Sequence, residues 1–307
     1  MRDCPYLSIV IPVYNEAENV GLLYQEVKKV LSSIQRTYEI IIIDDGSKDE
    51  TRKILKEIEA ADETLRVLSL RKNFGKASAL SCGFSKALGE IIVTMDGDLQ
   101  DDPEEIPRFL ECIKEYDVVS GWKQNRKDPL SKIIPSRIFN YITSVITRVE
   151  IHDFNCGYKA YRREVVKTLN IYGEMHRYIP ALANWKGYSV GELKDRHRPR
   201  IHGKSKYGVK RLFKGTMDLL TVKFLISYCQ KPLHLFGSIG LVSVLAGFGA
   251  CSYLLYSWLN GARIGDRPLL TLGVLMITLG VQFVAIGLIG ELIVHSRENM
   301  VWVLKED

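Results

Sequence analysis

The chain has 307 residues, 46% of them apolar and 25% charged, with a formal net charge of +6. That apolar content with mixed charge excludes a disordered chain. Six scattered Cys without CxxC or zinc spacing exclude a disulfide scaffold and fit a reducing compartment. The charge is unevenly placed: residues 1–199 carry 30 bases and 30 acids, residues 200–231 eight bases and one acid, and residues 232–307 four bases and five acids. The whole basic excess therefore sits in one 32-residue segment, and the charge density upstream of it excludes a multi-span transporter.

From the N-terminus, short Val- and Ile-rich runs predict strands at Leu7–Val13, Glu39–Ile43, Leu65–Leu70, Ile91–Met95 and Val118–Gly121. Between them, helical spacing predicts Glu18–Ser32, Glu50–Ala61, Lys76–Leu88 and Pro103–Glu115. The alternation implies an α/β domain over residues 1–199, with a mostly parallel sheet covered by helices on both faces. Ligands of such sheets bind beyond the C-terminal strand ends.

The segments beyond each strand carry the polar residues. Pro12-Val-Tyr-Asn-Glu16 follows the first strand, where a dinucleotide-binding sheet would place GxGxxG. Asp44-Asp45-Gly-Ser-Lys-Asp49 follows the second, an acidic turn able to accept from a base or ribose. Its Ser47-x-x-Glu50 spacing also reads as a capping box. Arg71-Lys-Asn-Phe-Gly-Lys76 follows the third, with bases beside a Gly turn that suit a phosphate at a helix start. Asp96-Gly-Asp98-Leu-Gln100-Asp-Asp-Pro-Glu104 follows the fourth. Asp96 and Asp98 bring two carboxylates to one hard ion and Gln100 adds a neutral oxygen, a donor set that suits Mg2+ or Mn2+ on a diphosphate. Asp101, Asp102 and Glu104 read as a solvated cap on the following helix. Gly203-Lys204-Ser205 resembles a P-loop end, but the Gly required upstream is Arg198. His197 and His202 lack metal spacing and read as phosphate or backbone contacts.

Two long runs without Asp, Glu, Lys or Arg follow, Pro232–Ala262 and Pro268–Gly290. Each exceeds the roughly 20 residues a span needs, so residues 232–290 read as a hairpin of two transmembrane helices, about 233–259 and 268–290. Buried core helices are the alternative. Tyr253, Tyr256 and Trp258 suit an interfacial belt, and the basic segment upstream places residues 1–231, the tail at 291–307 and both termini in the cytoplasm. Within residues 200–231, Tyr207–Tyr228 interleaves bases with apolar residues, as amphipathic helices on anionic lipid do. Adjacency to a span argues against nucleic acid as the partner.

Val10-Ile-Pro-Val-Tyr-Asn-Glu16, Asp44-Asp-Gly-Ser-x-Asp49 and Asp96-Gly-Asp98, in this order, resemble the family-two glycosyltransferases of GT-A fold. The Asp96–Glu104 run and His197-Arg-Pro-Arg-x-His-Gly-Lys-Ser-Lys-Tyr207 are similar to polyprenyl-phosphate glycosyltransferases, the dolichyl-phosphate mannose synthases and bactoprenol glucosyltransferases. The resemblance covers almost the whole chain, and the QxxRW of processive synthases is absent. It implies an inverting, metal-dependent transfer of a hexose from a nucleotide sugar, UDP-glucose by the bactoprenol likeness, to undecaprenyl or dolichyl phosphate at the cytoplasmic face of a bacterial inner membrane.

The roles it implies are as follows. Pro12, Tyr14, Glu16, Asp45, Lys76, Asp96 and Gly97 bind the nucleotide sugar. Asp96, Asp98 and Gln100 hold Mg2+ or Mn2+. Asp153 and Glu174 join Asp96 and Asp98 at the reaction centre, with His176 and Arg177 nearby. Lys123, Arg126, Lys132, Ser136, Arg200, Lys204 and Lys206 bind the acceptor phosphate. Two of these are Lys where the mannose synthases carry Arg, so a point charge replaces a bidentate grip, and Arg126 or Arg137 can substitute. The partners are the donor, the lipid acceptor, the bilayer and further copies in a homo-oligomer such as a tetramer. A hydroxyl acceptor served by a base near Asp153 or Glu174, and a non-catalytic scaffold, are the alternative readings.

Overall fold

The computed structural model describes residues 4–123, 130–169, 171–173, 175–196, 198, 217–219, 221–224, 231–261, 263 and 268–296, with only the backbone at 130–135 and 295–296. The chain divides into two compact units, built on Met1–Val222 and Lys223–Trp302.

The first unit is a seven-stranded sheet: β1 Leu7–Val13, β2 Tyr38–Asp44, β3 Leu65–Ser69, β4 Ile91–Thr94, β5 Val118–Trp122, β6 Lys159–Arg162 and β7 Val190–Lys194, in the order β3-β2-β1-β4-β6-β5-β7. Strands β3, β2, β1 and β4 are parallel. Ile9 sits beside Ile40 on one side and Val93 on the other, all three fully buried. Near-continuous Val and Ile runs are what a parallel sheet covered on both faces requires. The covering helices are α1 Val20–Ser33, α2 Thr51–Ala61, α3 Lys76–Lys86, α4 Ile106–Cys112, α5 Leu130–Thr147, α6 Arg163–Thr168 and α7 Ile179–Trp185. Helix α1 buries Val20, Leu23, Val27 and Leu31, one face at helical spacing.

The sheet is mostly parallel as expected, with one reversed strand. β6 runs antiparallel between β4 and β5, with Ala160 opposite both Val93 and Val119. The helix expected over Pro103–Glu115 is a 3-10 turn at Pro103–Glu105 followed by α4. The capping box does not form. Helix α2 starts at Thr51 with no side-chain cap from Glu50, and the Ser47 hydroxyl instead accepts from the Asn15 N–H at 2.9 Å.

The second unit is a pair of apolar helices, α8 Pro232–Leu259 and α9 Pro268–Ser296. Only 17% of each hydrophobic window is buried, at mean hydropathies of 1.8 and 2.4, which excludes core helices of a soluble fold. Helix α9 continues past Gly290, and the Glu291 carboxylate there accepts from the Leu233 N–H in the first turn of α8 at 3.3 Å. The helices meet through glycine. A Cβ at Gly240 or at Gly280 would stand 2.6 Å from the other's carbonyl oxygen, and one at Gly247 would stand 2.6 Å from the Gly273 oxygen. Leu241, Val242, Leu245 and Phe248 point outward. Apolar outside and small inside is the pattern of helices packed in lipid. With the basic segment before α8 setting its orientation, the protein is an integral membrane protein with a cytoplasmic catalytic domain.

Candidate active site

The loops after β1 and β2 are stitched together. Beyond the Ser47–Asn15 bond, the Lys48 N–H donates to the Asn15 side-chain oxygen at 2.8 Å, and the Glu16 N–H donates to the Thr51 hydroxyl at 2.9 Å. Asn15 takes a left-handed φ of 51° to make the turn. Gly46, with φ 71°, lets this pair approach the loop after β3, because a side chain there would strike the Lys72 backbone. The three loops enclose a cavity of about 380 Å³ lined by Tyr14, Asp44, Gly46, Ser47, Lys48, Arg52 and Leu70 to Asn73. That volume suits a nucleoside.

Tyr14 lies in this cavity wall as expected, and Asp44 supplies the carboxylate there. Asp45 is directed behind the wall. Its two oxygens accept from the Phe74 and Gly75 N–H groups at 2.8 and 2.9 Å. Burial and neighbouring Asp44 raise its pKa against those two bonds. Asp45 therefore shapes the turn leading into α3. Glu16 takes a bond from the Asn19 side-chain amide at 2.6 Å.

Beyond β4, the Asp96 carboxylate receives the Lys76 ammonium. Burial opposes ionisation of Asp96, yet Lys76, Lys123 and Lys159 hold it below the usual carboxylate value. Gly157 presses on this carboxylate, since a Cβ would meet its two oxygens at 2.6 and 2.7 Å. Gly97 lies against β1, where a Cβ would stand 2.6 Å from a Val13 methyl and 3.4 Å from the Pro12 oxygen. Asp98 accepts from the Gln100 N–H at 3.3 Å, across Leu99, whose φ of 62° is rare for a bulky residue. Strain of this kind persists where surrounding structure enforces it.

The solvated-cap reading fails for Asp101 and Asp102, which are 1% and 6% exposed. Asp101 accepts from the Asp96 N–H at 2.9 Å and pairs with Lys123 at 2.9 Å. Asp102 caps Glu104 and receives one arm of Arg198 at 2.7 Å, while the other arm reaches Glu26 at 2.7 Å. The Arg198 N–H also donates to the Gln100 carbonyl at 2.9 Å. Both acids are internal braces of the Asp96–Gln100 turn, and Glu104 alone remains exposed. Lys123 pairs with Asp101. Burial would lower its pKa, but Asp101 and Asp96 raise it well above the usual value, so it stays charged.

Asp153 is 2% exposed and accepts from the Asn155 N–H at 3.0 Å. The Asp153–Gly157 segment is fastened by buried Lys159, whose ammonium donates to the Cys156 and Phe154 carbonyls. His176 is buried. Burial, aided by Lys76, Arg177 and Lys159, drives its pKa well below the usual value, and the ring is neutral. Ser136 is half-buried on α5 and Arg137 is exposed beside it. Glu174, Arg126, His197, Arg200, His202, Lys204 and Lys206, most of Tyr207–Tyr228 and the Lys132 side chain lie outside the described residues.

Among the described residues no three His, Cys, Asp or Glu side chains converge as a complete metal cage. The donor chemistry still fits a hard cation. Asp96 and Asp98 supply oxygen, and the Lys76 ammonium marks the Asp96 oxygen as a position that holds positive charge. An ion held by one or two carboxylates takes its other ligands from substrate phosphate.

The class follows from where the two halves of the sheet meet. A nucleoside-sized cavity lies over β1, β2 and β3, and the Asp-x-Asp turn emerges from β4 beside the reversed strand β6. That is the plan of a GT-A glycosyltransferase. The profile of glycosyl transferase family 2 matches residues 8–169, and the chain belongs to that family. Dodecaprenyl-phosphate galacturonate synthase of Rhizobium johnstonii is 39% identical over 302 residues, covering 94% of this chain and 88% of that protein. Undecaprenyl-phosphate 4-deoxy-4-formamido-L-arabinose transferase of Pseudomonas paraeruginosa is 35% identical over 289 residues, covering 93% and 84%. Among solved structures, glucosyl-3-phosphoglycerate synthase of Mycobacterium tuberculosis, with Mn2+, UDP and glucosyl-3-phosphoglycerate, superposes with a TM-score of 0.55. Its identity is 16%, over 72% of this chain and 80% of that one, a likeness of fold.

Proposed function

We propose that the protein transfers one hexose from a nucleotide sugar to a polyprenyl phosphate at the cytoplasmic membrane face, with inversion and with Mg2+ or Mn2+. The supporting observation is near-full-length similarity to two enzymes whose names join a sugar to a polyprenyl phosphate. Metal-bound relatives of the fold support the cation.

In this reading the base lies in the cavity, with Asp44 accepting from a base N–H beside Tyr14. Lys76 shifts from Asp96 to the donor diphosphate. Asp96, Asp98 and Gln100 would hold a cation, which would supply stabilisation for the charge that builds on the leaving diphosphate. Lys123, Arg126, Lys132, Ser136, Arg200, Lys204 and Lys206 gather the acceptor phosphate, offsetting repulsion between two anions. The acceptor is already ionised, so its oxygen attacks the anomeric carbon without a general base. The bond to the diphosphate breaks, and its electron pair leaves with the nucleoside diphosphate. Asp153 and Glu174 orient the sugar. Glucose on UDP is the first donor to test, and the name of the Rhizobium relative makes galacturonate the second. The working form is a homo-oligomer such as a tetramer.

The test incubates membranes carrying the protein with labelled nucleotide sugars and undecaprenyl phosphate. The expected product is lipid-soluble and released by mild acid, as glycosyl phosphates are. An acid-stable product means a hydroxyl acceptor and overturns the reading. Full activity in EDTA removes the cation from it.

A further inference from the structure

Helix α5 is amphipathic the wrong way round for a water-soluble domain. Its inner face holds Phe139, Asn140, Thr143 and Thr147, all buried. The polar members are satisfied there. The Asn140 amide donates to the His152 carbonyl at 2.9 Å, and the Thr143 and Thr147 hydroxyls donate to carbonyls one turn back, at 2.8 and 2.7 Å. Its outer face holds Ile138, Tyr141, Ile142 and Val145, exposed by 55%, 71%, 42% and 61%. At about 100° per residue these four fall within one arc of about 100°. A contiguous apolar face of this kind on a folded domain marks an interaction surface.

We propose that this face of α5 lies in the surface of the lipid bilayer, as a second membrane contact besides the α8–α9 hairpin. Three observations select lipid over a second copy of the chain. The protein is anchored in a membrane by α8 and α9, so a bilayer is always available to the catalytic unit. Helix α5 contains no Asp or Glu, and exposed Arg137 and Arg148 flank the apolar face. Bases around an apolar stripe match anionic headgroups above acyl chains. In a two-fold contact the same patch meets itself, which gathers the Arg137 and Arg148 of both copies around one contact. Tyr141, the most exposed of the four, has the apolar body and polar tip that suit the headgroup boundary.

The placement has a use in the proposed reaction. Ser136 and Lys132, expected at the acceptor phosphate, lie on the same helix, two and six residues before Ile138. A helix seated in the headgroup layer holds them at the depth where a lipid phosphate resides. This link rests on the proposed function, whereas the bilayer contact does not.

The full chain, carrying the photo-crosslinker p-benzoylphenylalanine at Val145 or, in a second variant, at Tyr141, is reconstituted in phosphatidylethanolamine and phosphatidylglycerol vesicles and irradiated. The comparison site is Lys53 on α2, an exposed side chain. Mass spectrometry is expected to find phospholipid adducts at 145 and 141 at least tenfold above those at 53. Adduct levels equal to those at 53 mean that the face is in water and overturn the proposal. Crosslinks between two chains assign the face to a second copy, and crosslinks within one chain assign it to another segment of the protein. Either result also overturns it.

Discussion

In the sheet, Ile9, Ile40 and Ile42 are fully buried. In the hairpin, Gly240 and Gly247 occupy the seam while Leu245 and Phe248 face outward. The same amino acids are sorted in opposite directions. Water drives large apolar side chains together, so the sheet is stabilised by the area it hides. Lipid is as apolar as leucine, so the hairpin gains from close backbone contact, which only small residues allow. Residue size, rather than hydropathy, is what each core selects, and a substitution tolerated in one unit is damaging in the other.

The largest expected effect separates the units by chemistry. Asp98→Asn should lower turnover about a thousandfold, the upper range for loss of one charge-stabilising group, with the melting temperature of the catalytic unit unchanged. A sugar-transfer assay beside a melting curve checks it. Next, Ile42→Ala should cost the catalytic unit about 3 kcal/mol by leaving a cavity, read by denaturant unfolding. Third, Gly240→Val should cost the hairpin about 2 kcal/mol, because the added carbons collide with the Gly280 backbone, read by unfolding in mixed detergent micelles.

The fourth test uses pH. Asp62 accepts from Lys28 at 2.7 Å, from Tyr24 and from the Thr64 N–H at 2.9 Å. Burial raises its pKa, but these partners outweigh it, and the carboxyl lies well below its usual value. Its stabilising contribution is complete above the unfolded value of about 3.9 and disappears as pH falls towards the folded value. Asp62→Asn should therefore cost about 1 kcal/mol at neutral pH and nothing in strong acid, read as the difference in melting temperature across a pH series. The smallest effect is the mirror of Ile42→Ala: Leu245→Ala, facing outward at 62% exposure, should change hairpin stability by less than about 0.5 kcal/mol. A cost near that of Ile42→Ala would break the contrast.

Strands β1 to β5 and both spans were legible in the sequence because each is a run of one residue class. Strand β6 was not. Its four residues include Lys159 and Arg162, and Lys159 is buried only because two carbonyls from the preceding loop accept from it. Such a partnership has no periodicity. The Asp-x-Asp turn was legible as chemistry, but the division of labour around it was not. Asp101 and Asp102 read as surface acids because their partners, Lys123 and Arg198, are distant in sequence. Asp44 and Asp45 are adjacent, and only the path of the loop after β3 decides which faces the cavity. The outward face of α5 was readable in principle. Ile138, Tyr141, Ile142 and Val145 have the spacing of a buried stripe, and nothing local says that the stripe points away from the core.

The glycine contacts of the hairpin recur every seven residues, Gly240 and Gly247 on one helix against Gly280 and Gly273 on the other. That spacing makes the pair a ratchet with fixed teeth. Inserting or deleting one residue between two teeth turns the next glycine through about 100° and swings an outward-facing side chain into the seam. Point changes on the outer surface leave the register intact, whereas a single-codon insertion inside it disengages every contact downstream.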